Sequence, residues 1–314
     1  MNSKERRFER FSFYTLLYTL LVVVWGAYVR ASGSGAGCGS HWPLCNGEVI
    51  PQSVRVQTWI EFAHRASSGV NLVLIAFLLG LSFFWSESKS PVRRAAMVTM
   101  AAMLTEAALG AMLVLLAWVG VNKSIGRTVS MALHLANTLF LLASLATLWW
   151  CARSAENFKP VNRPILCREK DFMYSAVLFV VVGVMGAMTA LGDTLFPAAN
   201  WTQGLEQHLD PARHFLVSLR IFHPVVAVMW VVLTFQWAIV VKSKLPRHGM
   251  FLMGMFVVQL AIGVANLALL APVALQLLHL FGADLLWLVF WTSGLAVNQI
   301  SSSVMDSRFA VQNG

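Results

Sequence analysis

Long apolar runs alternate with short polar connections along the whole chain. Eight runs, near 11–29, 61–85, 93–118, 128–150, 171–191, 219–241, 249–270 and 273–298, are long enough to cross a hydrocarbon core, which takes about 20 helical residues. The pattern predicts an all-α integral membrane protein with eight transmembrane helices. The first run follows Lys4-Glu5-Arg6-Arg7-Phe8-Glu9-Arg10, and no small-residue cleavage site closes a short apolar core. It is therefore read as a retained helix and not as a signal peptide.

Composition agrees with this reading: 58% of the residues are hydrophobic and 12% are charged, with a mean hydropathy of +0.67. A soluble domain needs more polar surface than that. The net charge of +9 would suit nucleic acid if the cations formed a patch, but they gather between the apolar runs. They are read as orientation charges facing a lipid bilayer, with no nucleic-acid partner.

Sixteen of the 23 Lys and Arg residues fall in alternate connections: Lys4, Arg6, Arg7 and Arg10; Lys89, Arg93 and Arg94; Arg153, Lys159, Arg163, Arg168 and Lys170; Lys242, Lys244 and Arg247; and Arg308. The positive-inside rule then puts both termini in the cytoplasm and the odd-numbered links outside. The first outward link, about 30–60, carries Cys38 and Cys45 among glycines, with His41, Trp42 and Pro43 between them. Facing an oxidising compartment, the two cysteines are expected as a disulfide. A zinc site with His41 is the competing reading, and it lacks a fourth ligand. Cys151 and Cys167 fall on the cytoplasmic side and are expected reduced. The long link 192–218 carries Trp201, His208 and His214, read as solvated loop residues.

The chain repeats itself. Gly26-Ala-Tyr-Val-Arg-Ala-Ser-Gly33 resembles Gly186-Ala-Met-Thr-Ala-Leu-Gly192, and Glu106-Ala-Ala-Leu-Gly110 echoes Gln259-Leu-Ala-Ile-Gly263. His64 pairs in this way with His223, and His134 with His279. Two four-helix halves follow, 1–150 and 171–314, joined by a cytoplasmic linker at 151–170. An even number of crossings per half makes them parallel repeats about a pseudo-twofold axis along the membrane normal.

A lone histidine in an apolar helix is as often a packing residue as a ligand. Here four occupy repeat-related positions, each early in an even-numbered helix and roughly 10 Å from its outer end at 1.5 Å per residue. Two imidazoles per bundle at one depth suit axial ligation of a haem iron between helices. Ionisable residues inside a membrane are functional candidates because leaving them unpaired there is costly. The expected pairs are His64 with His134 and His223 with His279. Arg30, Arg65, Arg127 and Arg220 lie near the same face, as propionate partners or as simple interfacial snorkelling residues. Glu61 shares a helix face with His64, whereas Arg220 takes the matching place before His223. This difference puts chemistry in the N-terminal half and electron transfer in the other. Glu106 is expected to hydrogen-bond a neighbouring helix.

These residues resemble the haem A synthases, bacterial type with an outer-loop cysteine pair. The match lies in Tyr28-Val-Arg30-Ala-Ser-Gly-Ser-Gly35, in Cys38 and Cys45 around Trp42-Pro43-Leu44, and in Glu61-Phe-Ala-His64-Arg65. It continues through Leu133-His134-Leu135-Ala-Asn137, Leu191-Gly-Asp193-Thr-Leu-Phe-Pro197, Arg220-Ile-Phe-His223-Pro224 and Leu278-His279. The resemblance implies a bacterial cytoplasmic-membrane enzyme with its haem sites toward the outer face. Its reaction would oxidise the C8 methyl of haem O to a formyl group, by two hydroxylations and loss of water from a geminal diol. The product is the haem A that terminal oxidases need.

Carried over, His64 and His134 flank the substrate haem O, Glu61 assists the chemistry, and His223 and His279 ligate a permanent haem b. A haem O synthase, terminal oxidase assembly, an electron donor of unspecified class and a second copy of the chain are the implied partners. A diheme b-type cytochrome oxidising quinol, a haem carrier for oxidase assembly and a proton-relaying transporter are the alternatives that the same histidines leave open.

Overall fold

The computed structural model describes residues 1–160, 166–167 and 169–312, with side chains to Ser301. Arg163, Arg168 and the side chain of Arg308, counted above among the orientation charges, lie outside the described residues, as does part of the 151–170 linker. Among the described residues the structure is helical, with one isolated bridge between Cys45 and Glu48 in place of any strand. Eight spans are long and apolar enough to cross a membrane.

The apolar runs become α1 (Ser3–Ala31), α2 (Val56–Trp85), α3 (Pro91–Leu115), α4 (Ile125–Ala152) and α5 (Lys170–Leu195). They continue as α6 (Trp201–Leu209), α7 (Phe215–Leu219), α8 (Phe222–Lys244), α9 (Pro246–Ala268) and α10 (Val273–Gln312). Helix ends depart from the apolar run where capping chemistry extends or stops them. α1 begins well before residue 11 because Asn2 and Glu5 form a capping box: Asn2 Oδ1 accepts from Glu5 N at 2.9 Å, and Glu5 Oε2 accepts from Asn2 N at 2.7 Å. Ser90 and Ser124 cap α3 and α4 by accepting from Arg93 N and Arg127 N, each at 3.2 Å.

The link 192–218 is more ordered than a solvated loop. α5 runs to Leu195, α6 starts at an Asn200 cap that accepts from Gln203 N at 2.9 Å, and α7 joins α8 in one span, Phe215–Lys244. His214 is not simply solvated, since its ring caps α7 and stacks on Phe196 and Phe215 with centroids 5.0 and 4.5 Å away. Trp201 stays exposed and His208 is half-buried.

The helices pack as two four-helix bundles. In the first, α1 packs on α2 and α4, α2 on α3, and α3 on α4; in the second, α5 packs on α8 and α10, α8 on α9, and α9 on α10. The bundles meet where α1 and α4 face α5 and α10. Lipid is as apolar as leucine, so helices associate in it through close packing and interhelical hydrogen bonds of about 0.6 kcal/mol each. Such bonds recur here. Thr19 Oγ1 donates to Asn71 Oδ1 at 2.9 Å between α1 and α2, and Trp230 Nε1 donates to Ser175 O at 2.9 Å between α8 and α5. Across the seam, Trp287 Nε1 in α10 donates to Leu139 O in α4 at 2.8 Å, and Trp291 Nε1 donates to Thr147 Oγ1 at 2.9 Å.

Candidate functional site

His64, His134, His223 and His279 stand on α2, α4, the α7–α8 span and α10, each within the first three turns. Each ring packs on a glycine of a neighbouring helix. A Cβ placed on Gly26 would lie 2.8 Å from His64 Cε1, one on Gly186 2.9 Å from His223 Cε1, and one on Gly263 3.1 Å from His279 Cε1. Gly110 repeats the arrangement more loosely, at 4.0 Å from His134 Cε1. These four glycines belong to the repeated segments quoted from the sequence, so what repeats is a glycine seat for a histidine ring.

The Nδ1 atoms are held differently in the two halves. His223 Nδ1 lies 3.2 Å from Val182 O, and His279 Nδ1 lies 3.1 Å from Gln259 Nε2. The rings of His223 and His279 face one another with centroids 6.2 Å apart and planes at 82°. In the first half, His64 Nδ1 is buried with no hydrogen-bond partner among the described residues. His134 Nδ1 is also without one, its nearest carboxylate oxygen being Glu106 Oε1 at 3.5 Å, beyond hydrogen-bond length.

These observations fit a haem in the second bundle, and the same histidine and glycine positions recur in the first. No group of three or more His, Cys, Asp or Glu side chains arranged to hold a bare metal ion occurs among the described residues. Two imidazoles alone suit a metal that arrives with its own ring of ligands. The 6.2 Å between His223 and His279 leaves room for one ion with a bond of about 2 Å to each ring.

A sequence profile of the family described as "Cytochrome oxidase assembly protein" matches residues 9–291. The chain belongs to this family. Among curated proteins it is 28% identical over 263 residues to "Heme A synthase" of Exiguobacterium sibiricum, covering 82% of each chain. It is 27% identical over 198 residues to the protein of the same name from Macrococcus caseolyticus, covering 63% of this chain and 64% of that one. The resemblance read from the motifs is thus borne out. "Protoheme IX farnesyltransferase" of Thermus thermophilus is 42% identical over 297 residues, which are 90% of this chain and 47% of that protein. The chain spans about half the length of that relative.

In this member of the cytochrome oxidase assembly family the acids and arginines near the histidines are engaged, two of the arginines in ion pairs. Glu61, 3% exposed, accepts from Cys38 N at 2.8 Å and forms an ion pair with Arg65 Nη2. Arg65 Nη1 also donates to His41 O and, at 2.7 Å, to Leu44 O. Glu61 and Arg65 therefore clamp the 38–45 ring onto α2. That ring is closed by a Cys38–Cys45 disulfide, which removes both sulfurs from any zinc site. Cys151 and Cys167 are buried and lie outside the disulfide.

In the second half, Arg220 Nε meets Asp193 Oδ1 at 2.9 Å, and its Nη2 donates to Gly192 O and Phe196 O, both at 2.7 Å. Glu61 and Arg220, the residues that differ in charge between the halves, thus each sit in an ion pair. Asp193 was visible inside the Leu191–Pro197 motif, but its partner was not. The other two arginines brace their surroundings. Arg30 joins the bundles, with Nη1 donating to Ala190 O and Thr194 Oγ1 at 2.7 Å and Nη2 to Gln276 Oε1 at 3.0 Å. Arg127, 4% exposed, holds the α3–α4 link through Gly120 O at 2.6 Å and Asn122 O at 2.7 Å.

Glu106 bonds the neighbouring helix as expected: Asn137 Nδ2 donates to its Oε2 at 2.6 Å, and Thr138 Oγ1 donates to its Oε1. One residue escaped the reading of the sequence. Asp284, in the fourth turn of α10, is 1% exposed, and neither carboxylate oxygen has a hydrogen-bond partner among the described residues. A single acid inside an apolar run was the signal.

Proposed function

We propose that this chain is a haem A synthase that oxidises the C8 methyl of haem O to a formyl group, supplying haem A to terminal oxidases. One observation carries the reading: a member of the cytochrome oxidase assembly family holds two histidine pairs, one per bundle, each ring seated on a glycine. The N-terminal half, 1–150, takes the substrate haem O between His64 and His134. The C-terminal half, 171–314, keeps a haem b on His223 and His279, and the linker 151–170 joins them on the cytoplasmic side. A bound haem b supplies one-electron redox chemistry; the side chains of this protein hold, orient and seal.

Glu61 is the candidate catalytic residue of the first half. Its carboxylate is fixed by Cys38 N and Arg65, one turn from His64, where it can steady a developing positive charge or a proton at the substrate edge. The four arginines surround the same end as candidate propionate partners. All are engaged, so contact with a propionate exchanges one of these bonds. Arg127 has a donor to spare, since its Nε is buried without a partner among the described residues. The haem sites face outward in a bacterial cytoplasmic membrane with both termini inside. Haem O arrives from a haem O synthase, and an electron donor and a second copy of the chain are further partners.

The test is expression in a host that makes haem O but lacks its own haem A synthase. Haem A should accumulate only with this chain, and Glu61→Ala should abolish haem A while haem b stays bound. Two equivalents of haem b and no haem A would identify a diheme cytochrome instead; a colourless chain would point to the transporter. The farnesyltransferase name of the Thermus relative makes prenyl transfer the remaining outcome. Synthesis of haem O from haem b and farnesyl diphosphate by this chain alone would establish it. The Exiguobacterium relative, matched over 82% of both chains, favours oxidation.

A further inference from the structure

The repeat sets Glu106 on α3 against Gln259 on α9, each beside the second histidine of its bundle. Glu106 Oε1 lies 3.5 Å from His134 Nδ1, and that nitrogen is buried without a hydrogen bond. The carboxylate is held in place from α4 itself, by Asn137 Nδ2 at 2.6 Å and by Thr138 Oγ1, which also lies 2.9 Å from His134 O. Donors on both oxygens suit a carboxylate that acts as acceptor only. Gln259 Nε2 occupies the corresponding place, 2.9 Å from His279 O, to which it donates, and 3.1 Å from His279 Nδ1, so the second half sets an uncharged amide N–H beside that nitrogen where the first half sets a carboxylate. The neighbouring acids do not upset this contrast, because Glu61 is paired with Arg65 and Asp193 with Arg220.

We infer that Glu106 is a positioning residue that accepts the Nδ1–H of His134 and makes it the more strongly donating haem ligand, while Gln259 leaves His279 the weaker donor. This rests on the haem reading above. A neutral imidazole that gives Nε2 to a metal carries its proton on Nδ1 and needs an acceptor there. His134 Nδ1 has one candidate at 3.5 Å, a gap of the kind that tightens when a site is loaded. A carboxylate acceptor raises the basicity of the ligating nitrogen and stabilises the oxidised metal; an amide N–H beside Nδ1 gives no such help. The halves also differ at the other histidine, where Val182 O faces His223 Nδ1 at 3.2 Å and His64 Nδ1 has no partner among the described residues, but a full carboxylate charge outweighs a carbonyl dipole, so the two halves are set at different potentials. The haem at His134 is the lower, and an electron there is favoured to move to the haem at His279.

The experiment is an optical redox titration of the purified, haem-loaded protein, with His223→Ala used to assign which transition belongs to the C-terminal haem. Glu106→Gln, which installs the amide of the other half, should raise the N-terminal potential enough to change its oxidised-to-reduced ratio about tenfold at fixed potential, about 59 mV for one electron. Glu106→Asp should keep most of the original value. Gln259→Glu should lower the C-terminal potential and leave the other in place. If both haems are bound and neither substitution moves the potential of its own half, the inference fails. Should Glu106→Gln load no haem in the N-terminal half, Gln259→Glu decides alone, and an unmoved C-terminal potential overturns the inference. Pigment extraction keeps the two claims apart: two haems of type b without haem O or haem A sink the synthase reading and leave this titration valid.

Discussion

Gly26 shows what a single missing side chain does at this site. Its Cα faces the His64 ring so closely that an added Cβ would stand 2.8 Å from Cε1, while the equivalent approach at Gly110 is 4.0 Å from His134. Gly26→Ala should therefore push the His64 ring aside and reduce haem in the N-terminal half several-fold, whereas Gly110→Ala should leave pigment unchanged. The α1 helix itself should tolerate the alanine, which favours a helix by about 1 kcal/mol over glycine. Circular dichroism and pigment content on the same sample separate the two effects. Equal pigment in the two variants would show that the glycine seat does not matter. The same scale explains why Arg30, Arg65, Arg127 and Arg220 resisted interpretation from sequence. A cation near a membrane face reads as a ligand partner or a snorkelling residue, and only coordinates reveal that carbonyls and carboxylates already take most of its donors.

At the scale of elements, the outer link and α2 behave as one unit. The Cys38–Cys45 disulfide closes a short ring, and Glu61 and Arg65 fasten that ring to the first turns of the helix. Closing a ring of this size is worth about 2–3 kcal/mol by the chain-entropy relation. Cys38→Ser with Cys45→Ser should consequently lower thermal stability by about that amount. It should also make the peptide bonds of 38–48 open to protease, while the spans stay protected; limited proteolysis followed by mass spectrometry reads this directly. Arg65→Ala should give the same loop exposure with the disulfide intact, because the clamp is lost from the other side. The link 192–218 has a parallel design without a disulfide, since Arg220 draws Gly192, Phe196 and Asp193 together and also donates to Gln207 of α6.

For the whole molecule the seam between the bundles matters most, because any electron passing between the two proposed haem sites must cross it. Trp287 and Trp291 of α10 donate to α4, Phe179 stacks on Trp287 with centroids 4.8 Å apart, and Arg30 ties α1 to α5 and α10. Trp287→Phe keeps much of the packing but leaves Leu139 O without its donor. It should cost about 1 kcal/mol and lower the melting temperature without removing haem from either half. Arg30→Ala removes three bonds at another point of the same seam and should destabilise more. A melting temperature that falls further with Trp287→Phe than with Arg30→Ala would show the seam to be held mainly by its aromatic centre.

What the sequence determined by itself follows from the bilayer. A span must be helical, apolar and about 20 residues long, so the eight spans, their repeat and the four histidines at one depth could be read locally. The cysteine pair was equally legible, because two thiols seven residues apart in a glycine-rich link can meet without help from the rest of the fold. Tertiary structure decided everything that depends on residues far apart in the chain. Arg30 meets Gln276 across 246 residues, Asp193 neutralises the Arg220 that had looked like a lone cation, and Gln259 reaches His279 from another helix. Periodicity says which face of a helix is apolar but not which helix will cover it. For that reason the echo of Glu106 in Gln259 could be read along the chain, but only the packed helices show each side chain beside the second histidine of its bundle.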